Sequence, residues 1–133
     1  MALGGAVLVC GGLGGVMEAA CRGAKRGGGL TVGLLPDASR ERANPFVDVA
    51  VATGMGEARN AMVVGGADAV IAVGGEYGTL SEIALALRAG KPVVGLGTWE
   101  LRRSGRDDEG IVPADSPEEA AEMALKLAAA AAG

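Results

Sequence analysis

Three stretches of this chain carry residues whose types and spacing could act on an anion. In Gly74-Gly-Glu-Tyr-Gly-Thr-Leu-Ser-Glu82 a glycine turn is followed by a hydroxyl, Thr79, and a carboxylate, Glu82, one turn further on. A glycine loop that opens a helix leaves backbone amides pointing outward, and the helix dipole favours negative charge there. Gly11-Gly-Leu-Gly-Gly15 offers the same kind of loop, with Gly11, Gly12, Leu13 and Gly14 as its candidate contacts. Arg59 is the third feature. On a helix its i−4, i+3, i+4 and i+7 neighbours are Met55, Met62, Val63 and Gly66. A guanidinium set in an apolar stripe is paired with an acid or a phosphate more often than it is left in solvent.

Each feature has a plainer reading. Thr79-Leu-Ser-Glu82 is a capping box, in which Thr79 satisfies an orphan amide and Glu82 reaches back to the N-cap N–H. Ser116-Pro-Glu-Glu119 has the same spacing with no glycine loop before it and reads as a cap alone. Arg59 could form a structural pair with Asp48, Glu57 or Asp68. The first loop misses the dinucleotide fingerprint G-x-G-x-x-G at Met17, although Asp37 lies about where a ribose-binding acid belongs. With no Gly-Lys-Ser/Thr present, it remains either a tight β-to-α turn or a cradle for a phosphate or mononucleotide.

Composition narrows the chemistry. Histidine is absent, which removes histidine-activated nucleophiles and the commonest metal ligand. No cysteine–carboxylate cluster takes its place, so no metal site is expected. The net charge is −4 with scattered basic residues, which argues against nucleic acid or an anionic membrane surface as partner. No apolar run approaches the ~20 residues that span a bilayer. The N-terminal stretch runs into a strand without a basic lead-in, so a cytoplasmic protein is expected, with Cys10 and Cys21 as buried reduced thiols.

The elements that must position these residues alternate between β-rich and helical patterns. Strands are predicted at 6–10, 30–35, 47–52, 69–73 and 92–96. Helices are predicted at 16–26, 55–66, 79–89 and from Pro117 onward, capped by Ser116. Residues 98–115 read as one long irregular, charged loop containing Trp99. The sum is a single α/β domain, a Rossmann-like doubly wound parallel sheet with helices on both faces and ligands at the carboxyl ends of the strands. The apolar helix faces around Leu80–Leu87, Met55 and Met62 suggest a homo-oligomer.

The three motifs Gly11–Met17, Thr53-Gly-Met-Gly-Glu-Ala-Arg-Asn60 and Gly74–Glu82, in this order and spacing over residues 6–97, resemble the lysine-decarboxylase-like superfamily. That superfamily includes the "lonely guy" (LOG) phosphoribohydrolases and the molybdenum-cofactor carrier proteins. The resemblance implies Arg59 and Glu82 as a catalytic pair, with Gly75, Gly78 and Thr79 on a 5′-phosphate. The reaction would be attack of water on a nucleoside 5′-monophosphate, releasing the base. Two departures from the hydrolase motif, Gly74 for its proline and Glu76 for its second glycine, favour binding, and the Leu80-Ser-Glu82 ending and Gly54-Met-Gly-Glu-Ala-Arg-Asn60 look closer to the carrier-like branch. The expected ligand is therefore a phosphorylated small molecule, a nucleoside monophosphate or the molybdenum cofactor. Binding ranks ahead of hydrolysis. The strand and helix that precede the first motif in that superfamily are not found here.

Overall fold

A computed structural model describes residues 5–132 of the chain. The chain divides into two compact units, the first ending at Gly66 and the second beginning at Ala67.

The first unit is built from strand β1 (Val7–Cys10), helix α1 (Val16–Arg26), strands β2 (Leu30–Leu35) and β3 (Val49–Ala52), a 3-10 turn at Gly56–Ala58 and helix α2 (Arg59–Gly65). Its three strands are parallel in the order β1-β2-β3. Helix α1 is rich in good helix formers and carries Lys25 and Arg26 in its last turn, where cations suit the dipole. It ends where Gly28 takes a φ of 78° and the Gly29 N–H donates to the Ala24 carbonyl at 2.9 Å. Cys21 and Ala24 of α1, Leu35 of β2 and Val63 and Val64 of α2 are buried.

A polar knot holds the long β2–β3 connection. Thr31 is fully buried; its hydroxyl donates to the Phe46 carbonyl at 2.6 Å and accepts from the Asp48 N–H at 2.8 Å. One carboxylate oxygen of Asp48 accepts from the Thr31 N–H at 3.0 Å and from Lys25 Nζ at 2.8 Å. The Lys25 contact and the Thr31 amide hold the Asp48 carboxyl below its ordinary range. Residues 47 and 48, expected inside the third strand, are therefore occupied by this knot rather than by the ladder, and β3 starts at Val49.

The second unit contains strand β4 (Val70–Val73), helix α3 (Tyr77–Arg88), strand β5 (Val93–Leu96), a hairpin of β6 (Leu101–Arg103) and β7 (Arg106–Asp108), strand β8 (Ile111–Pro113) and helix α4 (Pro117–Ala132). Strands β4, β5 and β8 form a parallel sheet in that order. Val94, Ala114, Ala120 and Ala124 form a buried cluster, flanked by Ala69, Ile71, Met123 and Leu127. Small residues dominate it, so α4 lies close on the sheet. The cap expected at Ser116 is present: its Oγ accepts from the Glu119 N–H at 3.1 Å.

Parallel strands alternating with helices fit the Rossmann-like expectation, with three differences in detail. The segment 98–115 is not an irregular loop. It folds into the antiparallel β6–β7 hairpin, turned by Ser104 and Gly105 with φ of 52° and 78°, and then into β8 as a further parallel strand. Helix α2 does not run from Met55, because Gly54 and Gly56 take φ of 63° and 59° and interrupt the helical path. Helix α3 starts at Tyr77 rather than Thr79, with Glu76 at its N-cap and no side-chain cap hydrogen bond.

Candidate functional site

In the first unit the loop after β1 is pressed onto β2. Gly12 has a φ of 77°, and a Cβ there would lie 2.9 Å from Leu35 Cδ2 and 3.1 Å from the Gly33 Cα. Only glycine permits both that backbone and that approach. Asn44, buried in the β2–β3 connection, clamps the loop from the other side. Its Nδ2 donates to the Leu13 carbonyl at 2.9 Å, its backbone N–H donates to the Gly12 carbonyl at 2.9 Å, and its Oδ1 accepts from the Phe46 N–H at 3.0 Å. With those carbonyls turned inward, Gly14 and Gly15 stand exposed, and neither would bring a Cβ within 4 Å of another group. Helix α1 begins directly behind them without a side-chain cap.

Arg59 lies against this loop. A Cβ on Gly11 would collide with its Nη1 and lie 2.7 Å from its Cζ, so the guanidinium fits only because residue 11 is glycine. The segment leading to Arg59 is fastened to the end of β2. Thr53 Oγ1 donates to the Leu35 carbonyl at 2.6 Å, and the Gly54 and Gly56 N–H groups donate to the Asp37 and Pro36 carbonyls, each at 2.9 Å. Arg59 Nε is buried and has no hydrogen-bond partner among the described residues. Asp48, one of the acids that could have paired with it, is held by Lys25 and Thr31 instead. Asp37 is held by Arg42 at 2.6 Å, which lowers its carboxyl's pKa, with a smaller contribution from the Arg59 charge.

Cys10 leads into the same loop. Its Sγ lies 3.6 Å from Cys21 Sγ and accepts from the Gly12 N–H at 3.3 Å. Burial pushes its thiol from 9.0 up to about 11, opposed in part by the Gly12 amide and by the Arg59 charge. Both cysteines are free, as expected. The thiolate is the reacting form, so a rise of this size predicts alkylation by iodoacetamide at pH 8 about 100-fold slower than for an unperturbed thiol. The rate should climb as pH rises toward 11, read by mass spectrometry of the folded protein.

In the second unit the loop after β4 is fixed at both ends. The Gly74 N–H donates to the Leu96 carbonyl at 3.0 Å, and Thr98 Oγ1 donates to the Gly74 carbonyl at 2.5 Å. Gly75 has a φ of 110°, and a Cβ on it would run into the Thr79 side chain, 2.5 Å from its Oγ1. Thr79 therefore supports the loop from beneath instead of capping the helix. Gly78 lies in the first turn of α3 with open space beside it. Glu82, expected to close a capping box, lies inside α3, partly buried and engaged in a polar or electrostatic contact. Trp99 Nε1 donates to the Glu76 carbonyl at 3.2 Å, and a cleft of about 330 Å³ is lined by Gly74, Gly75, Gly97, Thr98 and Trp99.

Among the candidate residues, Gly11, Gly12, Leu13, Gly14 and Arg59 belong to one local arrangement in the first unit, and Gly74, Gly75, Gly78, Thr79 and Glu82 to the second. Asn44 and Thr98 position the two loops and were not singled out from sequence. Asn44 lies between the strands predicted at 30–35 and 47–52, outside every motif, and Thr98 in the segment expected to be irregular. Among the described residues no group of histidine, cysteine and carboxylate side chains could hold a metal ion, and no helix is long and apolar enough to cross a membrane.

Known proteins share this fold. The molybdenum cofactor binding protein of the phototrophic bacterium Rippkaea orientalis is 41% identical, with 92% of this chain matched to 77% of that one at a TM-score of 0.79. The molybdenum cofactor carrier protein of Chlamydomonas reinhardtii is 34% identical, with 97% matched to 81% at a TM-score of 0.79. An uncharacterized protein of Archaeoglobus fulgidus is 55% identical over 92 residues, which span 69% of this chain and 60% of that relative. Residues 1–121 match the SLOG cluster4 family, a LOG-like group. The chain belongs to that family, on a Rossmann-like α/β fold.

Proposed function

We propose that this chain is a carrier-like binding protein for a phosphorylated small molecule with a fused heterocyclic ring, the molybdenum cofactor or a nucleoside monophosphate. The observation that carries the reading is Arg59, whose buried Nε has no hydrogen-bond partner among the described residues while its guanidinium rests on Gly11 of an open glycine loop. A fork-shaped, permanently charged group whose buried Nε has no hydrogen-bond partner among the described residues suits a phosphate oxygen. Gly11, Gly12, Leu13 and Gly14 would supply the loop beside it; Gly74, Gly75, Gly78 and Thr79 would form a glycine loop of the same kind in the second unit. The similarity to two proteins described as binding or carrying the molybdenum cofactor supports the choice of ligand class. The test is calorimetric titration with AMP and with a 6-substituted pterin monophosphate. Saturable binding supports the reading, and silence with both defeats it.

Glu82 favours a second reading. Helix α3 begins two residues before Thr79, so capping no longer accounts for a carboxylate at this position. A phosphoribohydrolase would need Arg59 and Glu82 on one nucleoside monophosphate, with Glu82 orienting the water or ribose. Such help is worth about 10²–10⁴ in rate. Adenine released from AMP by the parent, and not by Glu82→Gln, would place hydrolysis above carriage. Met55 and Met62, 49% and 39% exposed, would supply apolar surface for the self-association expected from sequence.

A further inference from the structure

Tyr77, Phe46 and Trp99 are the only aromatic residues in the chain, and two of them meet beside one glycine loop. The Tyr77 and Trp99 ring centroids lie 5.7 Å apart with planes inclined by 36°. Tyr77 is 76% exposed, so burial does not explain its presence. A tyrosine left in water on the first residue of a helix contributes little to folding. Trp99 is only partly buried, and the bond from its Nε1 to the Glu76 carbonyl fixes the plane of the indole.

The surface beside the indole is built mainly of glycine. Gly74 and Gly97 line the cleft with it, and a Cβ on either would meet nothing within 4 Å. Thr98 holds the Gly74 end of that floor through its 2.5 Å bond. The cleft, about 330 Å³, lies at the small end of the ~300–1,000 Å³ range of ligand pockets. A glycine floor without side chains and an oriented indole wall suit a thin, planar, fused-ring heterocycle better than a sugar or an aliphatic acid.

We infer that Tyr77 and Trp99 form a ring-binding subsite within the second unit, stacking a purine or pterin-type bicycle beside the Gly74–Gly75–Gly97 floor, with the Gly74–Thr79 loop of the same unit left for its phosphate. The inference rests on the ligand class proposed above and adds the residues that recognise its ring. Trp99 would supply the aromatic surface beside the floor, and Tyr77, exposed and 5.7 Å from the indole, would extend it. Phosphate and ring are then recognised by different groups, so their contributions separate in an experiment.

Trp99 is the only tryptophan, so its fluorescence reports on this cleft alone. The full chain is titrated with AMP, with a 6-substituted pterin monophosphate and with ribose 5-phosphate, which bears the phosphate without a ring. Calorimetry and tryptophan emission are read together. AMP or the pterin monophosphate is expected to quench emission saturably, and ribose 5-phosphate to bind without quenching. Aromatic stacking on a base is worth about 1–3 kcal/mol, so Tyr77→Ala should weaken the quenching ligand roughly tenfold or more and leave ribose 5-phosphate unchanged. Whichever of AMP and the pterin monophosphate binds identifies the source of the ring. Binding by calorimetry with unaltered Trp99 emission, or equal weakening of ring-bearing and ring-free ligands in Tyr77→Ala, overturns the aromatic subsite and leaves the carrier reading standing. No calorimetric binding of any of the three overturns the carrier reading, and the subsite with it.

Discussion

Arg59→Met should give a ligand-free protein at least as stable as the parent, by up to about 1–2 kcal/mol, because the substitution removes a buried donor that no described residue satisfies. Methionine keeps the unbranched stem and fills the space beside Gly11 without a charge. For a structural arginine the outcome is the opposite: breaking a buried ion pair leaves its partner stranded and costs about 3–5 kcal/mol. Urea denaturation of both proteins without ligand separates the two cases. A midpoint unchanged or raised marks Arg59 as a group kept for a ligand at the expense of stability. A lowered midpoint, equivalent to a loss of about 3–5 kcal/mol of unfolding free energy, marks it as part of the scaffold.

Gly75→Ala and Gly78→Ala should diverge sharply, although the motif treats the two glycines alike. Gly75 has a φ of 110°, a region open to essentially no other residue, and its added Cβ would meet the Thr79 side chain. Strain and overpacking each cost about 1–3 kcal/mol, so a loss of roughly 2–5 kcal/mol is expected, with the loop after β4 displaced. Gly78 lies in α3 with open space beside it. Alanine there should raise stability by about 0.5–1 kcal/mol through helix propensity alone. If the loop amides face a phosphate, Gly78→Ala should still weaken the ligand, because the new methyl stands where Gly78 is expected to face it. Thermal denaturation with and without AMP or the pterin monophosphate reads both effects. Equal stability of the two variants would contradict the loop geometry.

These contrasts show what could be read from the residues alone. The strands around Leu30–Leu35, Val70–Val73 and Val93–Leu96 were legible because β-branched and leucine runs bounded by glycine or proline have few other uses. Helix α1 was legible from its composition and its glycine stop. The hairpin of Leu101–Arg103 and Arg106–Asp108 was not, because three-residue strands made mostly of arginine and aspartate carry no apolar alternation. β8 escaped notice because Ile111 and Val112 alone are too short a run. The start of α2 was misread because its pattern of apolar residues continues through Gly54 and Gly56, whose positive φ breaks the helix physically. At the site, the glycine loops and Arg59 announced themselves by type. Their support did not: Asn44 reaches the first loop from 31 and 32 positions away in sequence, and Thr98 reaches Gly74 across 24. Such contacts depend on strand order, which local pattern does not encode.

The capping box at Thr79 and Glu82 is the instructive error. Its spacing is the same as at Ser116 and Glu119, where the cap does form. What differs is the preceding chain. Gly74 and Gly75 bring the backbone round so that the helix is already under way at Tyr77, and Thr79 is left facing Gly75. A capping signature is therefore decided by the turn before it as much as by its own residues.

The most direct test of the central claim, that Arg59 is held ready for an anion, is calorimetric titration of the parent and of Arg59→Met with AMP and the pterin monophosphate. Charge-assisted hydrogen bonds contribute about 1.5–3 kcal/mol each, so the account predicts saturable binding by the parent and a roughly 100-fold weaker constant for Arg59→Met. Equal affinity in the two proteins would contradict it.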